Sequence, residues 1–165
     1  MSTPTTTPQD GGAPRQRPIP TGLAAMAEVY ERWDWLVLRA SERLLLAADS
    51  TVSAVEMPAS VAAEVQHYLS LRLLAGPVLA LPGVPCRWLI LTESADHAAP
   101  VSLVRLRARG ALVHRCGTLV PLPPSRLRSG AVSWQVPPSL DGPTLPPFTA
   151  VVAAARAVSE TAGLS

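Results

Sequence analysis

The chain of 165 residues is long enough for one globular domain with a real core, and at 48% apolar and 16% charged residues its bulk is expected to fold. A formal net charge of +2, from 14 basic and 12 acidic residues, falls short of the basic excess that would by itself imply nucleic acid. The 18 prolines and 10 glycines argue against long uninterrupted bundle helices and for short elements joined by rigid turns.

All the basic residues are arginine, which we read as coding bias, so arginine identity alone carries little functional weight. Cys86 and Cys116 cannot complete a four-ligand zinc site, and His67, His97 and His114 stand in no ligand spacing with them. No metal or other cofactor is therefore expected. The N-terminus lacks a basic region followed by an apolar one, and no apolar run reaches about 18 residues. The expectation is a cytoplasmic protein with reduced thiols and no membrane partner.

Residues 1–20, "MSTPTTTPQDGGAPRQRPIP", hold five prolines and little to bury, and are expected to form a disordered tail. From Gly22 to about Ala48, Met26, Val29, Tyr30, Trp33, Val37, Ala40, Leu44 and Ala47 recur at spacings of three and four, which predicts a long first helix. Its apolar surplus at Trp33, Trp35 and Leu44 to Leu46 makes this helix the candidate face for a protein partner. A short extended piece over Thr51 to Val55 leads to a second helix from Pro58 to about Ala75, with Val61, Val65, Tyr68 or Leu69, and Leu73 on its apolar side.

After Gly76 the pattern turns to short apolar runs bounded by proline and glycine. "PVLALPG" at 77–83, "CRWLILTE" at 86–93 and "VSLVRLRA" at 101–108 are expected strands, the third with Arg105 and Arg107 on its solvent face. "ALVHRCGTLVPL" gives one bent strand or a tight pair broken at Gly117, and "AVSWQV" at 131–136 a final strand. Pro121, Pro123 and Pro124 cannot donate to a ladder and mark an edge or an end. A closing helix is expected from an N-cap at Thr149 to about Glu160, with Phe148 packing on its first turn from outside. The fold class is α+β: two N-terminal helices, a small mixed or antiparallel sheet of short strands, and a C-terminal helix. We expect a single domain over 21–161 and a disordered end over 162–165.

Chemistry is sparse. Between His97 and Leu140 there is no Asp or Glu, and Glu93 with Asp96 is the only acidic pair expected beside the sheet. His114 and Cys116, two apart on a strand, merely share a face and lack an orienting third group. No phosphate-cradling glycine cluster or helix-borne zinc motif occurs. One charged feature remains: Arg105, Arg107, Arg109, Arg115, Arg126 and Arg128, with His114, occupy an acid-free stretch. Brought together, they would form a positive patch whose phosphate contacts give affinity without reading sequence.

"RCGTLVPLPPSRLRSGAVSWQVPP" followed by "LPPF" resembles the closing motif of the bifunctional DNA primase/polymerase N-terminal domain, the Prim-Pol module of the archaeo-eukaryotic primase superfamily. The matching residues are Gly117, Val120, Pro123, Pro124, Ser125, Gly130, Trp134 and Pro146. "GPVLALPGVPCRWLILT" resembles the preceding strand pair in small, diverged actinobacterial relatives, so residues 76–150 resemble the second half of such a domain. That family adds nucleotides to DNA through two metal ions held on an Asp-x-Asp pair and a later acid, with a histidine on the triphosphate. Here Asp-x-Asp is absent, the strand expected to hold the histidine reads Arg87, Trp88, Leu89, and the late acidic position falls near Val113 and His114. The resemblance thus implies a degenerate active site with no catalytic residue to carry over, because the two-metal mechanism has no ligands.

Three functional readings follow. The leading one is a non-catalytic Prim-Pol-like protein with a nucleic-acid-associated or regulatory role through the arginine surface. The second is a small interaction or structural protein without nucleic acid. The third, an active nucleotidyltransferase using unusual metal ligands, is the least favoured.

Overall fold

A computed structural model describes residues 22–139 and 141–162. The expected N-terminal tail over 1–20 lies outside the described residues. So does the expected tail over 162–165, save Ala162, which ends the last helix.

Among the described residues the chain runs α1 (Leu23–Glu31), β1 (Val37–Ala40), β2 (Arg43–Ala47), β3 (Val52–Pro58), α2 (Ala59–Ser70), β4 (Val78–Leu81), β5 (Arg87–Glu93), α3 (Pro100–Arg107), β6 (Leu112–His114), β7 (Leu119–Leu122), β8 (Arg126–Leu127), β9 (Gly130–Ala131), β10 (Ser133–Val136) and α4 (Phe148–Ala162). Every strand pairing is antiparallel. A central five-stranded sheet has the order β10-β4-β5-β3-β6, a second sheet the order β1-β2-β7, and β8 with β9 forms a short hairpin.

The central sheet is covered on both faces. Val55 and Met57 of β3 and Ile90 of β5 point toward Val65 and Leu69 of α2, Leu106 of α3, and Phe148 and Val151 of α4. Their neighbours along the strands, Ala54, Leu89 and Leu91, point the other way, toward Tyr30 of α1, Leu44 and Leu46 of β2, and Val120 and Leu122 of β7. Period-two alternation thus divides the apolar residues of β3 and β5 between two cores.

This architecture corrects the expected pair of N-terminal helices. The first helix ends at Glu31 rather than near Ala48, and three strands intervene before α2. Asp34, in the left-handed region at φ 59, turns the chain out of the helix, and the N–H groups of Trp33 and Trp35 both close on the Tyr30 carbonyl. Beyond it, Leu44 and Leu46 are buried while Arg43, Leu45 and Ala47 face outward. That alternation is a strand signal which the spacing of three and four had masked. A two-residue loop, Ser41 and Glu42, joins β1 to β2, with Ser41 at φ 51.

The expected strand at 101–108 is α3. Pro100 opens it, where its missing N–H costs nothing, and Arg105 and Arg107 fall in its last turn, where cations complement the helix dipole. Residues 112–122 are neither a bent strand nor a pair. β6 lies at an edge of the central sheet, and the chain passes Gly117, at φ 89, to enter the second sheet as β7.

Two smaller corrections concern the helices. α2 stops at Ser70, and Leu73, at φ 57 and 94% exposed, is no part of its apolar side. α4 begins at Phe148, one residue before the expected cap at Thr149, and buries that ring.

Candidate functional site

The Pro-Pro-Ser turn after β7 is spent on holding the fold together. Ser125, fully buried, accepts a hydrogen bond from the Leu44 N–H at 2.8 Å and donates to the Leu44 carbonyl at 3.0 Å. The carbonyl of Pro123 accepts from the Tyr30 hydroxyl at 2.7 Å, and that hydroxyl in turn accepts from Trp134 Nε1 at 3.3 Å. Burial pushes the Tyr30 phenol up to about 12, against the smaller opposing effect of the Trp134 hydrogen bond. Gly130, at φ 139, sits where an added Cβ would lie 3.0 Å from Pro82 Cβ. Pro123, Ser125, Gly130 and Trp134 therefore tie α1, β2, the β8–β9 hairpin and β10 together. Pro124 is exposed, and Gly117 makes the β6–β7 turn.

The six singled-out arginines do not form one patch. Arg105 and Arg107, adjacent in the expected strand face, diverge on α3 because two residues on a helix are about 200° apart. Arg105 and Arg109 line a cavity between α3 and α4, whereas Arg107 and Arg115 flank a shallow depression with Leu103, Ala111 and Leu112. Arg126 and Arg128 belong to the β8–β9 hairpin, whose Ser129 donates to the Pro82 carbonyl at the end of β4. β4 and β6 are separated by two strands, so this hairpin lies away from α3.

His114 leaves the expected patch altogether. From β6 it donates through Nε2 to Glu56 Oε2 at 2.8 Å, while Arg87 Nε pairs with the other Glu56 oxygen. A terminal nitrogen of Arg87 also donates to the Gly110 carbonyl at 2.9 Å. Glu56, 9% exposed, is the carboxylate that the sequence reading missed: a single acid inside the apolar run of β3 requires partners. Its carboxyl is held below the ordinary range chiefly by the His114 hydrogen bond, against the opposing effect of burial, with Arg87 adding a hydrogen bond and its charge.

Both cysteines are free and exposed, and the His114 ring engages Glu56 rather than Cys116. Asp96 accepts a hydrogen bond from the Cys116 N–H at 3.4 Å. Among the described residues no group of three or more His, Cys, Asp or Glu is placed to hold a metal ion, and no helix is long and apolar enough to cross a membrane. No protein-family model matches the chain, and neither the curated proteins nor the solved structures provide a match.

Proposed function

We propose that this protein is a non-catalytic, Prim-Pol-like domain that associates with nucleic acid through the cationic edge formed by α3 and β6. The observation that carries this reading is the paired placement of Arg107 and Arg115 around one open depression at the sheet edge. Both side chains are exposed, and the depression has no acidic lining residue. Phosphates are the anions such a surface meets in series along a strand, and contacts of this type position a protein without reading bases. The Prim-Pol part of the reading rests on the motif residues, whose tight internal bonding suits a retained scaffold. The Glu56 carboxylate is already engaged by Arg87 and His114, which favours a structural role for it over metal binding.

The test is fluorescence anisotropy with labelled single-stranded and duplex DNA across a salt series. Affinity should fall steeply with salt, and replacing both Arg107 and Arg115 with alanine should reduce the slope by about 2. Binding that ignores salt, or no binding at low salt, would overturn the reading.

A second reading, an interaction protein, is favoured by the outer face of the β1-β2-β7 sheet. Leu36, Leu38 and Leu119 are 56%, 44% and 46% exposed there, and Leu38, Leu45 and Pro121 align across the three strands. This moves the expected partner surface from a first helix to a sheet face, since Trp35, Leu44 and Leu46 are buried. Light scattering on a size-exclusion column tests self-association; replacing Leu36 and Leu38 with serine should dissociate any oligomer that forms through this face.

A further inference from the structure

α3 and α4 lie side by side on the helical face of the central sheet. Between them is a cavity of about 470 Å³, within the range of roughly 300–1,000 Å³ typical of small-molecule pockets. Its floor is apolar: Leu106, Phe148 and Ala155 are each at most 5% exposed, and Val152 of α4 is half-buried beside them. Its mouth carries His97, Arg105, Arg109 and Arg156 and no carboxylate among the lining residues.

Arg109 is fixed there because it donates to the Ala155 carbonyl on α4, so its guanidinium is oriented before any ligand arrives. Arg105 stands one helical turn earlier on α3, exposed at the mouth. The half-buried Ser102 adds a hydroxyl to the lining.

Each part of this lining excludes a class of ligand. A cation would meet the arginines with no counter-charge, and a bare phosphate would leave the Phe148 and Val152 surface wet. An uncharged hydrocarbon would gain nothing from the guanidinium groups of Arg105, Arg109 and Arg156. What satisfies floor and mouth together is a small molecule with an apolar body and one anionic head that accepts forked hydrogen bonds from arginine.

We infer that the α3–α4 cavity binds an amphipathic anion, with its carboxylate or phosphate at Arg105 and Arg109 and its apolar body over Leu106, Phe148 and Val152. This assignment is independent of the nucleic-acid reading, which rests on Arg107 and Arg115 on the other flank of α3.

The test is isothermal titration calorimetry of the full chain with monomeric decanoate and decyl phosphate, with decanol and decylamine as controls. The anions should bind with decanol at least about tenfold weaker and decylamine silent, and Arg105→Ala should weaken the anions about tenfold. The relative strength of the two anions tells which head the site takes. Val152→Trp, which fills the cavity, should abolish binding while far-ultraviolet circular dichroism and DNA affinity stay unchanged.

Should that variant fail to fold, amide chemical shifts of the unaltered protein decide, and decanoate should move signals over residues 97–109 and 148–156. Equal binding of decanol and decanoate, an unaffected Arg105→Ala variant, or shifts confined to other parts of the protein would overturn the proposal. So would binding to anionic vesicles with none to free decanoate.

Discussion

One serine hydroxyl, that of Ser125, closes both backbone groups of Leu44, accepting from its N–H at 2.8 Å and donating to its carbonyl at 3.0 Å. All three groups are out of reach of water. Replacing Ser125 with alanine leaves a donor and an acceptor unpaired in the interior, which costs about 1–3 kcal/mol for each such group. We expect Ser125→Ala to lower stability by about 2–4 kcal/mol in urea unfolding, while Ser129→Ala, at an exposed hairpin, changes it by less than about 1 kcal/mol. Equal effects for the two variants would show that the Pro-Pro-Ser turn does not brace β2.

The Tyr30 hydroxyl, between the Pro123 carbonyl and the Trp134 indole, ties α1 to the same turn. Its pKa rises from 10.0 to about 12 in the native state, so the folded protein holds that proton where the unfolded chain releases it. Stability from this group is complete below pH 10.0 and is lost as pH climbs toward about 12. Tyr30→Phe should cost about 1–2 kcal/mol at neutral pH and make the alkaline limb of the stability profile shallower. An unchanged alkaline limb, measured by urea unfolding at a series of pH values, would rule out this linkage.

These two anchors also show what the sequence could reveal. The turn itself was legible, because its three prolines fix the backbone wherever they stand and Gly130 permits a conformation that other residues avoid. So were β4 and β5, as apolar runs bounded by proline and glycine, and α2 and α4, through the apolar side that follows Pro58 and the packing of Phe148 on the first turn. The region from Val37 to Ala47 was not: its apolar residues satisfy a spacing of three and four, while Leu44 and Leu46 also satisfy alternation. Only the second core, which gives Leu44 and Leu46 a common face against Val120 and Leu122, selects the strand.

α3 carried a legible start in Pro100, but Val101, Leu103, Val104 and Leu106 fit either period in so short a segment. A strand would put Arg105 and Arg107 on one face, whereas the helix turns them apart. The α3–α4 cavity left no local pattern at all, since Phe148 and Arg105 come together only through the packing of their helices on the sheet. Glu56 did leave a trace, as one carboxylate in a strand otherwise built to be buried.

Glycine at 130 is required twice over, by φ 139 and by the approach of Pro82. Gly130→Ala meets both obstacles and should lose about 1–3 kcal/mol. Gly117, at φ 89, has no atom within 4 Å of an added Cβ, so Gly117→Ala meets only the backbone penalty. Thermal unfolding of the two variants side by side should place Gly130→Ala lower. The reverse order would mean that the β8–β9 hairpin yields freely to Pro82.

Glu56 links β3, β5 and β6 through Arg87 and His114, and its pKa is depressed in the folded protein from an ordinary value of 4.5. The unfolded chain therefore takes up this proton first as pH falls, and stability is lost below 4.5 as the pH passes through the lower native value. Glu56→Gln keeps the shape and removes the charge, leaving the Arg87 guanidinium in a partly buried place without its counter-ion. It should cost about 1–3 kcal/mol at neutral pH and flatten the acid limb of the profile. His114→Ala removes the larger of the stabilising contacts, so the Glu56 carboxyl should then titrate closer to its ordinary value, which carbon-13 shifts of the side-chain carboxyl report directly. A carboxyl that titrates identically with and without His114 would show that Arg87 alone holds the charge.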